Sequence, residues 1–187
     1  MNILIIILIV IVGIIALLLI TALFTKKTYT IEKEVLIHKR RPEVFEYIQH
    51  LKNQSSFNKW MMADPDMRVT YTGVDGTVGF KQAWESDNKQ VGIGEQEITA
   101  IDQGVGISTV IRFVKPMEGI AHVQLVTEVV ADHKTKVKWI FQSGMKYPMN
   151  ILIILLNIPK MLGKDLEKSL ELLRAELEDG QPTHPQH

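Results

Sequence analysis

Residues 3 to 24, ILIIILIVIVGIIALLLITALF, show no polar stripe at any period. Only Gly13 and Thr21 interrupt the aliphatic run, and the first charged side chain is Lys26. A helix that is apolar all round must be covered all round, by protein or by lipid. A helix of this length extends about 33 Å, close to the roughly 30 Å of a bilayer's hydrocarbon core. The pattern therefore predicts one membrane-spanning helix. A cleaved signal sequence is the competing reading, since Thr21-Ala22 places small residues near the end of the run. The run is longer than a signal's apolar region, lacks an A-x-A site and has no Lys or Arg ahead of it, so an uncleaved anchor is preferred.

Beyond the anchor the period changes to two. Tyr29, Ile31, Val35 and Ile37 alternate with more polar neighbours and predict a half-buried strand a few residues after the anchor. PEVFEYIQHL then reads as a short helix. Pro42 suits its first position, Glu43 its first turn, and Val44, Phe45 and Ile48 fall on one face. A second short helix or turn is predicted between Asn53 and Trp60. From Met67 to Gly144, strand-like runs near 67–72, 79–86, 90–100, 105–114, 119–130 and 136–143 are separated by turn signals such as Val74-Asp75-Gly76 and Asp102-Gln103-Gly104. Strands joined this tightly predict an antiparallel meander.

The period then returns to helical. Leu162, Leu166, Leu170, Leu173 and Leu177 form one stripe, with charged residues mostly opposite it, and must lie on the sheet. The preceding MNILIILLNIPKML is apolar at almost every position, is too short for a second span, and predicts a kink or break near Pro159. Three segments result: an anchor at 1–25, one domain at 26–180 and a disordered tail at 181–187.

Composition narrows the function. All 21 basic and 21 acidic residues lie after the anchor, so net charge is zero and no general attraction to nucleic acid is expected. The absence of cysteine excludes disulfides, thiolate metal sites and cysteine nucleophiles. Lys26, Lys27, Lys33, Lys39, Arg40 and Arg41 all follow the anchor, which by the positive-inside rule predicts a cytoplasmic domain.

The segments RPEVFEYI, SSFNKW, MADPDM leading into VTYTG, the strand with Trp84, GIGEQEIT, TKVKWIFQSG and GKDLEKSLELLRAELE occur in a characteristic order. In that order the chain resembles the START/Bet v1-like (SRPBCC) superfamily, in its polyketide cyclase/dehydrase-like branch. The resemblance implies an α+β helix-grip fold: a seven-stranded curved antiparallel sheet around a long C-terminal helix, with two short helices after the first strand. Here one transmembrane helix precedes it. The resemblance also implies a cavity that holds a hydrophobic small molecule or lipid.

Catalytic signatures are missing: there is no G-x-S-x-G, no phosphate loop, no H-E-x-x-H and no G-x-G-x-x-G. Gly92-Ile93-Gly94 and Gly104-Val105-Gly106 read as small residues needed where a sheet bends. For a cyclase or dehydratase, Arg112, His122, Glu95, Glu97, Tyr71 and Lys115 are the groups to weigh. Alternation places His122, Gln124 and Glu128 on a polar face, and Arg112 reads as the partner of a cross-strand carboxylate. No catalytic residue, metal ligand or cofactor is assigned.

Phe80, Gln82 and Trp84 share one face of their strand, as do Val137, Trp139, Phe141 and Ser143. These residues, with Ile151, Ile154, Leu155, Ile158 and Leu162 from the apolar half-helix, are the candidate cavity lining. The expected function is membrane-tethered binding of a hydrophobic small molecule or lipid, with membrane lipids as partner. A cyclase or dehydratase in the same cavity and an interaction module for a membrane protein are the alternatives.

Overall fold

The computed structural model describes residues 3–180, so the tail expected at 181–187 lies outside the described residues. α1 (Ile3–Phe24) is one uninterrupted helix, long and apolar enough to cross a membrane. After a short link come β1 (Thr28–Ile37), α2 (Arg41–Ile48), a 3-10 turn (Leu51–Asn53) and α3 (Gln54–Phe57). The meander follows as β2 (Arg68–Thr72), β3 (Lys81–Glu85), β4 (Ile93–Asp102), β5 (Gly106–Lys115), β6 (Gly119–Ala131) and β7 (Lys134–Gly144). α4 (Ile151–Leu155) and α5 (Ile158–Asp179) end the described chain.

The seven strands form one sheet in the order β1-β7-β6-β5-β4-β3-β2, with every neighbouring pair antiparallel. This is the helix-grip architecture. The antiparallel order sorts the connections between two ends of the sheet. The first end, where α1 enters, gathers the start of β1, the β3–β4 loop, the β5–β6 hairpin and the chain leaving β7. The other gathers the β1–α2 link and the remaining hairpin turns. Register shifts at Ile93/Gly94, Ile98/Ala100 and Val129/Ala131 bend the strands, as bulges do.

α5 runs from the first end to the second across the concave face. Leu166, Leu170 and Leu173 are fully or almost fully buried with Ile31, Ile37, Val123, Leu125 and Val137. Lys33 Nζ lies 3.1 Å from Glu167 Oε2, and Lys59 pairs with Asp165, which fixes the helix against β1 and the segment after α3. The opposite sheet face is polar: His122 is exposed, and Arg112 lies 2.8 Å from Glu97 and 3.4 Å from Glu95.

The helix break falls at Asn157, which holds a left-handed conformation (φ 47°, ψ 49°) that asparagine tolerates better than most residues. Pro159 sits in the first turn of α5, where its missing N–H costs nothing. α4 is thereby released from the line of α5 and lies beside the end of α1. Asn150, fully buried, donates through Nδ2 to the carbonyls of Ala22 (2.7 Å) and Thr25 (3.0 Å), satisfying two acceptors at the end of α1. Ala22 is fully buried as well. One turn back on the same face, Leu18 and Leu19 are the least exposed of the large side chains of α1.

At the far end, Glu178 of α5 accepts hydrogen bonds from the His38 backbone N–H (2.6 Å) and pairs with His38 Nδ1 (2.9 Å). Burial pushes the Glu178 carboxyl up, but the two His38 contacts outweigh it and hold the group below the usual 4.5. A depressed carboxylate adds stability above its unfolded value and loses it as pH falls through the folded one. Stability is therefore expected to decline as pH drops below about 4.5, and Glu178→Gln is expected to flatten that decline. Urea midpoints measured from pH 6 down to 3 on both proteins test this; identical slopes would refute it.

Candidate ligand-binding site

Between α5 and the sheet the core is not filled to the first end. There the structure has a cavity of about 300 Å³, at the lower limit for small-molecule sites. Its walls come from β1 (Tyr29), the α3 region (Gln54, Asn58, Trp60, Met61), β3 to β7 and α5 (Leu162). Its exposed lining residues, Lys89 and Gln90 of the β3–β4 loop and Lys115 to Glu118 of the β5–β6 hairpin, mark its mouth. All these mouth segments belong to the end where α1 enters.

Of the candidate lining residues, the structure brings together Trp84, Trp139, Phe141, Ser143 and Leu162 around the cavity. Phe80, Gln82 and Val137 share the concave face with them but sit elsewhere in the packed interior, buried to within 1% of complete and outside the lining. Phe80 precedes β3 and Val137 lies early in β7, both toward the far end, where α5 closes the core. The expectation for the half-helix is corrected. Ile151, Ile154, Leu155 and Ile158 are not in the lining, and Ile154 and Leu155 are more than half exposed. The break at Asn157 turns α4 toward α1 and away from the sheet.

Residues not nominated from the sequence complete the walls, among them Tyr29, Gln54, Asn58, Trp60, Met61, Gln96, Ile111, Phe113 and Val123. Ile111, Phe113 and Val123 were legible as the apolar partners of Arg112 and His122 in the strand alternation. Gln54 and Asn58 carried no such signal, because a short helix of four residues has no resolvable period.

The polar groups of the wall are mostly tied to one another. Gln96 Nε2 donates to Thr109 Oγ1 at 2.9 Å, Asn58 Nδ2 to Gln54 Oε1 at 3.1 Å, and Ser143 Oγ to the Ile120 carbonyl at 2.8 Å. Burial raises the Tyr29 phenol, only partly countered by its hydrogen bond to Ser143, so it remains a neutral hydroxyl at physiological pH. The lining's charged side chains, Lys89, Lys115 and Glu118, are exposed and belong to the mouth. Of the other groups weighed for catalysis, Glu95, Glu97 and Arg112 pair on the outer face, His122 is exposed there, and Tyr71 stacks on Phe80 outside the cavity. Among the described residues no three His, Asp or Glu side chains gather as a metal site would require.

No protein-family model matches this sequence, and no curated protein sequence does either. Solved structures do match in fold. The Mll3558 protein from Rhizobium loti aligns with a TM-score of 0.60 at 14% identity, covering 80% of this chain and 96% of that one. The protein Ara h 8.0201 aligns at 0.53 and 14% identity, covering 80% and 97%. Norcoclaurine synthase from Thalictrum flavum, solved with dopamine and hydroxybenzaldehyde, aligns at 0.56 and 10% identity, covering 82% and 91%. At such identities the likeness shows a common Bet v1-like fold.

Proposed function

We propose that this protein is a membrane-tethered binding protein for a hydrophobic small molecule, held in the cavity between sheet and α5. The observation that carries the reading is the cavity itself, whose wall is dominated by Trp60, Trp84, Trp139, Phe113 and Phe141 and whose mouth opens at the end where α1 enters. α1 acts as the anchor, and the mouth then faces the bilayer from which an apolar ligand partitions. Exposed Met117, Tyr147, Met149, Ile154, Leu155 and Leu156 lie on segments at this end, as expected of a surface that meets lipid. The cluster of Lys and Arg residues that follows α1 is what favours a cytoplasmic domain.

Binding is preferred to cyclase or dehydratase chemistry because the cavity's inner wall offers no pair of titratable groups to move a proton. The structure of norcoclaurine synthase with two aromatic compounds is consistent with small-molecule occupancy of this fold.

The chain has no cysteine, so single labels can be placed without background. In nanodiscs, a fluorophore on Met117→Cys at the mouth is expected to be quenched by nitroxide lipids, and one on Val74→Cys in the β2–β3 turn is not. Native mass spectrometry of the released protein is expected to show a bound small molecule. Equal behaviour of the two labels, or a bare protein whose mass is unchanged by added apolar compounds, would refute the respective half of the proposal.

A further inference from the structure

The chain around the end of α1 is one-sided in charge. Between Ile3 and Ile31 and between Met145 and Lys164 it holds Lys26, Lys27, Lys146, Lys160 and Lys164, and no Asp or Glu. All five lysines are exposed, and among the described residues none pairs with a carboxylate. The fold joins the two stretches. The Met145 N–H donates to the Lys27 carbonyl at 2.8 Å, and Asn150 bonds the carbonyls of Ala22 and Thr25.

Where α4 gives way to α5, this region has a shallow groove lined by Leu156, Asn157, Lys160, Met161, Lys164 and Asp165. Leu156 and Met161 are more than half exposed. Asp165 pairs with Lys59, so the groove keeps two unpaired ammonium groups, one helical turn apart, beside exposed aliphatic side chains. Helix stability does not account for the arrangement. Like charges four residues apart destabilise a helix. α5 also has no acidic residue in its first turn and no basic one in its last, the reverse of what its dipole favours. An anion between Lys160 and Lys164 would offset both effects.

We propose that this surface docks an anionic phospholipid of the bilayer, its phosphate between Lys160 and Lys164 and its acyl chains along Leu156 and Met161, while Lys26, Lys27 and Lys146 meet neighbouring headgroups. The inference rests on α1 being the anchor proposed above. With Ile3–Phe24 across the hydrocarbon core, α4 stands beside the last turn of α1, at the level of the headgroups. A lysine near an anionic surface contributes about a five-fold preference for it, and exposed aliphatic chains bury at the boundary between headgroups and acyl chains. The two kinds of side chain in the groove match the two parts of one lipid.

The test uses the full chain in phosphatidylcholine vesicles with traces of spin-labelled phosphatidylglycerol or spin-labelled phosphatidylcholine, whose immobilised fractions give the relative affinity of each lipid. Phosphatidylglycerol is expected to be preferred at least 3-fold at 0.1 M salt. The preference is expected to approach one at 1 M salt, where the screening length falls from about 10 Å to about 3 Å. Lys160→Glu/Lys164→Glu is expected to remove most of the preference. Lys39→Glu/Lys134→Glu, the same change of charge at the far end, is expected to leave it intact. The lysines at 160 and 164 are exposed and unpaired, so that variant is expected to melt within about 2 °C of the wild type. Should it fail to fold, Lys160→Gln/Lys164→Gln and the salt dependence of the wild type carry the comparison. Equal immobilisation of the two lipids by the wild type, or a preference that survives the changes at 160 and 164, would overturn the inference. Immobilisation of neither lipid would overturn the anchoring by α1 instead.

Discussion

Leu166→Asp is expected to abolish cooperative folding, whereas Leu155→Asp is expected to melt within about 2 °C of the wild type. The two leucines lie on either side of the break at Asn157, in a stretch where nearly every early position is apolar. Leu166 is fully buried between α5 and the sheet, while Leu155 is 57% exposed on α4. An aspartate at 166 forfeits about 2–3 kcal/mol of apolar burial and places a carboxylate where nothing pairs with it, at several kcal/mol more. That sum approaches the 5–15 kcal/mol by which a domain is ordinarily stable. At 155 the carboxylate meets solvent or headgroups and costs the fold nothing comparable. Circular dichroism melts in mild detergent measure both. Comparable loss of stability at the two positions would mean that α4 packs inward.

Gly92→Ala is expected to cost about 3 kcal/mol and lower the melting midpoint by roughly 6–12 °C, while Gly104→Ala costs about 1 kcal/mol. Both glycines have positive φ, 67° at Gly92 and 72° at Gly104, so backbone strain is similar in the two variants. They differ in what a methyl group would meet. At Gly92 it would stand 2.1 Å from the Lys115 carbonyl oxygen and 2.7 Å from its carbon, whereas at Gly104 nothing lies within 4 Å. The difference between the variants thus isolates the contact between the β3–β4 loop and the β5–β6 hairpin, the two loops that frame the cavity mouth. Equal melting shifts would show that this contact yields freely.

The strand and helix periods made the fold legible. Each run of alternation between Met67 and Gly144 became a strand displaced by a few residues at most, because turn residues such as Asp102-Gln103-Gly104 bracket it on both sides. The stripe Leu166, Leu170 and Leu173 identified the buried face of α5 for the same reason. The cavity was only half legible. Parity reveals which face of a strand a residue occupies and not how far along it lies, so Phe80 and Val137, which fill the core, were indistinguishable from Trp84 and Phe141, which line the cavity. The direction of α4 was illegible for another reason. A segment apolar on every face announces that it needs cover without naming the cover, and the left-handed turn at Asn157 that redirects it is a tertiary outcome. Gln54 and Asn58 depend on a chain of hydrogen bonds that no local pattern records.

On the binding function proposed above, the Asn150 clamp affects how often ligand and mouth meet. With β1 beginning so soon after α1, the linking backbone leaves little slack, and the Met145 N–H donating to the Lys27 carbonyl at 2.8 Å removes more. Together with the two bonds from Asn150 to Ala22 and Thr25, this ties the start of the domain to the end of α1. With α1 as the anchor proposed above, encounter with a solute dissolved in the bilayer would become a lateral search in two dimensions at a fixed height. The rate of capture would then follow the solute's mole fraction among the lipids, to which partitioning ties its aqueous concentration. Tethering of this kind raises the effective concentration at the site without any added contact. Cutting the clamp with Asn150→Ala would slow capture from the membrane while leaving the cavity walls untouched.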